Sequence, residues 1–157
     1  DLPCICPVAS GPRSSSALVR RGCLRRLTSG ERVFTRSVGG GCTPLCLAIR
    51  QENYEAAQSL IQFGANVNMG GGIFGSPVHL SVVRLKIPII QALINKNADL
   101  NKQDSDGNTP LHIVMNIFSK NPDRCCHILE LLTLNGARVN QKNHDHWAPL
   151  HTAVRKG

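Results

Sequence analysis

Aromatic residues are scarce in this chain of 157 residues, with four Phe, one Trp and one Tyr. A single globular core draws much of its buried area from aromatics. Short helices packed through Leu, Ile, Val and Ala are therefore expected instead. No run of about 18 apolar residues occurs, so no segment reads as a membrane-spanning helix. The patterns G-x-S-x-G, P-loop and H-E-x-x-H are absent as well, which removes three common catalytic and phosphate-binding signatures. Lysine is missing from the first 85 positions, and all six lysines lie beyond them. Residues 1–38 nevertheless hold seven Arg against one Asp and one Glu, a net of +5 within the chain's total of +8. Residues 39–157 carry only +3. Basic character thus belongs to the N-terminal segment. Nucleic acid or an anionic membrane is disfavoured as a partner and could engage only residues 13–36, where Arg20, Arg21, Arg25 and Arg26 cluster.

Cysteine is present in an odd number, seven: Cys4, Cys6, Cys23, Cys42, Cys46, Cys125 and Cys126. Neither a disulfide framework nor paired C-x-x-C zinc spacing emerges. Free thiols in a reducing compartment, cytoplasmic or nuclear, are expected.

What is abundant is periodicity. The frame T-P-L-H recurs as Thr43-Pro44-Leu45-Cys46, Ser76-Pro77-Val78-His79, Thr109-Pro110-Leu111-His112 and Ala148-Pro149-Leu150-His151. Pro44, Pro77 and Pro110 stand 33 residues apart, and Pro149 follows after 39. A second signature keeps step: Gly64-Ala65-Asn66-Val67-Asn68, Asn97-Ala98-Asp99-Leu100-Asn101 and Gly136-Ala137-Arg138-Val139-Asn140. Each of these blocks starts 13 residues before the next proline of the frame. Proline is tolerated in the first helical turn, where its missing N–H costs nothing. The expected helices are Pro44–Arg50, Tyr54–Phe63 capped by Asn53, one opening at Pro88, and Pro149–Lys156. In the third unit the first helix extends to Ile117 or Phe118. A loop at Lys120 and Asn121 follows, and a helix restarts at Pro122 with Asn121 as its cap. The six extra residues there are expected to form a loop whose shortening is nearly neutral.

A 33-residue period with T-P-L-H-x-A resembles the ankyrin repeat. The resemblance covers roughly residues 40–157 and implies an all-α solenoid of stacked helix-turn-helix units with short β-hairpin loops. Expected units are about 40–69, 70–104, 105–144 and a truncated repeat 145–157. Hairpins are expected near 65–76, 99–109 and 138–148. Residues 1–38 read either as an Arg-, Ser- and Pro-rich leader or as a degenerate first repeat with an outer helix at 17–29. The last helix lacks its partner, so the chain reads as a fragment with more repeats downstream and an exposed apolar end.

His79, His112 and His151 could suggest a zinc site. The resemblance instead implies a row of histidines that hydrogen-bond within and between repeats, together with Thr43, Pro44, Pro77, Thr109, Pro110 and Pro149 as structural positions. The match of residues 70–75 to G-x-G-x-x-G lies between helical pairs and not in a βαβ unit, so a dinucleotide loop is not expected. Asn66, Asn68, Asn101 and Asn140 are turn formers, and the resemblance implies that Asn at positions 68, 101 and 140 can be a substrate for asparaginyl hydroxylation, which the sequence leaves open. The implied function is a non-enzymatic protein–protein interaction scaffold with no cofactor, metal or small-molecule substrate. Its variable tip positions map to Gly72, Ile73 and Gly75, then Ser105, Asp106 and Asn108, then His144, Asp145 and Trp147. Concave-face positions map to Arg50, Gln51, Val83, Arg84, Asn116, Ile117, Arg155 and Lys156. Trp147, as the only Trp, is the expected anchor at a tip. The alternatives are a recruitment region of a larger enzyme or channel, and a basic leader that tethers the chain to nucleic acid or an anionic membrane.

Overall fold

The computed structural model describes residues 42–70 and 75–156. The calls on residues 1–38, on Gly72 and on Ile73 lie outside them. Seven α-helices follow in order: α1 Pro44–Arg50, α2 Tyr54–Gln62, α3 Pro77–Val83, α4 Ile87–Asn95, α5 Pro110–Ile117, α6 Pro122–Leu134 and α7 Pro149–Lys156. Six bear a proline in the first turn, at Pro44, Pro77, Pro88, Pro110, Pro122 and Pro149. Asn53 caps α2 by accepting from the Ala56 N–H at 3.2 Å. Asn121 occupies the corresponding place before α6, but its side chain makes no cap bond.

The helices pair as α1–α2, α3–α4 and α5–α6, and each pair packs on the next. Inner helices α1, α3, α5 and α7 form one layer, and outer helices α2, α4 and α6 the other. The apolar spacing explains the stacking. Leu45 and Ile49 on α1, then Val78 and Val82 on α3, are almost fully buried between layers. Ile90 and Leu93, then Ile128 and Leu132, do the same for the outer row. Ile94 is only half-buried and packs against this core. Each fully buried side chain of this kind is worth about 1.5–3 kcal/mol. Few aromatics are needed because neighbouring layers supply the area.

The connecting fingers differ from the expected hairpins. No strand pairing occurs among the described residues beyond an isolated bridge residue at Cys42. Side chains take the donors that a ladder would pair. Asp104 Oδ1 accepts from the N–H groups of Asp106 and Asn108 at 3.0 and 2.8 Å. The fingers therefore close as tight turns, with main-chain bonds from Gly107 N–H to Asp104 O and from His146 N–H to Asn143 O inside them and one further bond across each base. The base bonds run from Asp104 N–H to Asn108 O and from Asn143 N–H to Trp147 O, both 2.9 Å.

The extra residues of the third unit are also not a free loop. Phe118–Lys120 form a 3₁₀ turn, and half-buried Phe118 packs on the core. Phe118→Ala should cost about 1–2 kcal/mol, and trimming this turn should be destabilising. Urea unfolding of the two variants checks this, and an unchanged midpoint would restore the loop reading.

Candidate functional site

The site is built from the third finger, closed between Asp104 and Asn108, the fourth, closed between Asn143 and Trp147 (each numbered by the unit it opens), and the inner helices beneath them. Gly107, at φ +77°, lets the third finger turn sharply enough to meet its neighbour. In the fourth finger Asn143 repeats the part of Asp104. Its Oδ1 accepts from Asp145 N–H at 3.0 Å and from Trp147 N–H at 2.9 Å. The two turns are tied side by side. His144 N–H donates to Asp106 O at 3.3 Å, and Asn143 Nδ2 donates to Asn108 Oδ1 at 3.1 Å. Gln103 Nε2 donates both to Gly107 O and to Lys142 O, at 2.8 and 2.9 Å.

The histidine row locks fingers to helices. His112 Nδ1 accepts from Thr109 N–H at 3.1 Å and lies 2.9 Å from Thr109 Oγ1. Its Nε2 faces Trp147 O at 2.8 Å and so carries the proton. His79 repeats the arrangement with Ser76 N–H at 3.0 Å and with Asn108 O at 3.0 Å in the next finger. Both ring nitrogens of each residue are thus engaged by protein groups and are not poised as metal ligands. His151 accepts from Ala148 N–H at 3.3 Å but is exposed, with no finger over it among the described residues. A parallel row ties the turns. Asn68 Oδ1 accepts from Asp99 N–H at 2.7 Å, and Asn101 Oδ1 from Arg138 N–H at 2.6 Å. Asn140 is exposed at the end of that row.

Burial pushes the His79 imidazole below its ordinary value, outweighing the bond to Asn108 O. The unfolded chain, with a histidine near pKa 6.5, therefore takes up this proton first. Stability from the neutral ring is full above about pH 6.5 and falls as the pH drops below it. Urea midpoints at pH 7.5 and 5.5 should show the loss, and His79→Gln should reduce it. A midpoint that rises on acidification would contradict the assignment.

Between the tied fingers and the inner helices lies a polar groove of about 360 Å³. Asp106, His144 and Asp145 rim it, and Asn116, Thr152 and Arg155 line its helical side. Ser105, Asn108 and Trp147 border it as well. The expected tip residues of the third and fourth units and two of the expected concave positions, Asn116 and Arg155, are thereby brought together. The others are not. Arg84 and Arg50 lie at the inner turns of the first two units, where the Arg84 guanidinium pairs with Glu52 at 2.8 Å and donates to Arg50 O at 3.1 Å. Ile117 is half-buried against the core. Gly75 is buried and adopts φ +75° close beneath His79, so it does not lie at a tip.

Trp147 departs from the expected free tip. It is half-buried, and the Arg155 guanidinium stacks over its ring at 4.8 Å from the centroid. The indole therefore joins the groove to an apolar hollow at the open end, lined with Leu150 and Val154. Those two are 70% and 78% exposed, whereas the equivalent Leu111 is 2% exposed beneath the next layer. Sequence reasoning missed Thr152. Its register partners in the earlier units are Ile113, Leu80 and Leu47. A hydroxyl at an apolar register position was the available signal.

Comparison with known proteins agrees with this architecture. The family model described as "Ankyrin repeat" matches residues 40–71 and 106–144, and the one described as "Ankyrin repeats (many copies)" matches 79–116. A putative ankyrin repeat protein of Rickettsia felis is 38% identical over 85 residues, 51% of this chain and 36% of its own length. Rabankyrin-5 of Mus musculus is 33% identical over 144 residues, 88% of this chain and 12% of its own. The human transient receptor potential cation channel subfamily A member 1 is 31% identical over 120 residues, 74% of this chain and 10% of its own. The chain thus spans between a tenth and about a third of these relatives. Such repeats are in general protein–protein interaction modules and typically non-enzymatic. With a recurring motif, a stacked fold and family models matching more than half of its length, the chain belongs to the ankyrin repeat family.

Proposed function

We propose that this chain is a non-enzymatic scaffold that binds a protein partner through the tips of its third and fourth fingers and the adjoining concave face. The observation that carries the reading is the convergence of tip residues Asp106, His144 and Asp145 with Asn116 and Arg155 on one groove. A groove rimmed by fixed turns and backed by packed helices presents recognition groups on a rigid support, and this limits the ordering cost of binding. The free thiols of Cys42, Cys46, Cys125 and Cys126 support a reducing compartment, cytoplasmic or nuclear. The exposed Leu150 and Val154 support further repeats stacked beyond α7 in the parent chain. The small share of each relative that is covered is compatible with a recruitment region of a larger enzyme or channel.

A photo-crosslinking residue tests the surface. Placed at His144 it should trap a protein partner, and placed at exposed Gln91 on the outer helix α4 it should not. Trapping from Gln91 alone, or only from position 25 in the basic segment, would overturn the assignment.

A further inference from the structure

One hydroxyl in the groove is bonded to no other group among the described residues. Thr152 is 9% exposed, and it lines the groove floor. Other helical hydroxyls fold back on their own turn: Ser59 donates to Glu55 O, Ser81 to Val78 O and Thr133 to Leu129 O, all within 2.9 Å. Thr152 makes no such bond and no other side-chain bond. Nine-tenths of the residue is covered, and what remains accessible, including a hydroxyl that is not sealed from solvent, opens on the groove it lines. Across it, Asn116 on α5 is exposed and leaves its amide unengaged. The floor therefore offers two neutral groups, each able to donate and to accept, and together they match a main-chain amide.

The rim is different. Asp106 and Asp145 are exposed on adjacent turns that the bond from His144 N–H to Asp106 O holds together. Neither carboxylate has an ion-pair or hydrogen-bond partner among the described residues. Arg155, which lines the same groove, is stacked on Trp147. Two uncompensated carboxylates attract a cation and repel phosphates. A metal ion would need more converging ligands, and no group of three or more acidic, His or Cys side chains is so arranged among the described residues.

We infer that the groove takes an extended segment of the partner polypeptide that carries a Lys or Arg. The cation rests between the carboxylates of Asp106 and Asp145. The adjoining main-chain amide bonds to Thr152 and Asn116. This inference rests on the scaffold reading and adds the chemistry of what is bound.

The test titrates the ¹⁵N-labelled chain with acetyl-Ala-Ala-Lys-Ala-Ala-amide and with its Glu counterpart. The Lys peptide should shift the amide signals of Asp106, Asn116, Asp145 and Thr152, with a dissociation constant in the millimolar range, and the Glu peptide should not. Thr152→Val should weaken the Lys peptide by roughly twofold to tenfold, the scale of one hydrogen bond. Replacing both Asp106 and Asp145 by Asn should weaken it by about tenfold or more. Retained dispersion of core signals shows that the variants are folded. Equal shifts from the Glu peptide, no shifts from either, or a Thr152→Val titration identical to wild type would each overturn the inference. If the His144 crosslink forms while the Lys peptide leaves the groove untouched, the scaffold reading stands and this chemistry falls. If the Lys peptide fills the groove while crosslinks form only from position 25, the reverse holds.

Discussion

Gly107→Ala should destabilise the chain by about 3 kcal/mol, through two effects that add. The residue sits at φ +77°, and a left-handed backbone costs a residue with a Cβ about 1–2 kcal/mol. The added Cβ would also lie 2.6 Å from both the backbone nitrogen and Cδ2 of His144. Real Cβ atoms do not approach that closely, and one of the contacts is backbone, so the fourth finger must move. The bond from His144 N–H to Asp106 O then fails with it. Gly136 supplies an internal control. It has φ +91°, but its added Cβ would meet nothing within 4 Å. Gly136→Ala should therefore cost only the backbone term, about 1–2 kcal/mol. Thermal or urea unfolding of the two variants reads the difference directly. Equal losses would mean that the fingers are not held in contact.

His112→Ala should cost about 3 kcal/mol, whereas His151→Ala should cost under about 0.5 kcal/mol. The two histidines occupy the same place in successive units but not the same surroundings. His112 is 1% exposed. Its removal leaves Thr109 N–H and Trp147 O without partners and opens a cavity beneath the fourth finger. An orphaned buried polar group costs about 1–3 kcal/mol, and the cavity adds to it. The His151 ring is exposed and has no finger to support, so its replacement is an ordinary surface change. The same comparison distinguishes a structural row from a metal site. A shared zinc ion would make the two substitutions similarly damaging and would leave stoichiometric zinc in the wild-type protein.

The architecture was legible because a repeat writes the same constraint several times. Proline in the first helical turn, apolar residues three or four apart and a turn block at fixed distance placed α1 and α7 at their observed bounds and α2 within one residue. Where a unit departs from the repeat, local signals were weaker. Phe118 reads as part of an insertion, and only its packing on the core shows that the insertion is ordered. The fingers read as hairpins because the resemblance to the ankyrin repeat implies them. The competition won by Asp104 and Asn143 for backbone donors depends on side-chain direction, which residue type alone leaves open. The candidate site divides in the same way. The positions of Asp106, His144 and Asp145 follow from register. That Trp147 lies beneath Arg155 is a tertiary fact between residues eight apart across a turn. The pairing of Arg84 with Glu52 spans 32 residues and two units, and it withdraws a cation that register alone placed on the binding face.

The central claim is that binding belongs to the finger groove and not to the basic N-terminal segment. The most direct test measures the affinity of the partner trapped from position 144 for the full chain and two variants. Trp147→Ala removes the indole that joins the groove to the open end, and a central aromatic anchor of this kind typically costs 2 kcal/mol or more, about thirtyfold in affinity. The double variant Arg25→Glu, Arg26→Glu reverses charge in the segment that carries +5. The expected result is a loss of about thirtyfold for Trp147→Ala with helix content nearly unchanged, and a loss of less than about threefold for the arginine pair. A partner that tolerates Trp147→Ala, is lost with the arginines and weakens steeply between about 50 and 200 mM salt, as a polyanion contact does, would contradict the claim.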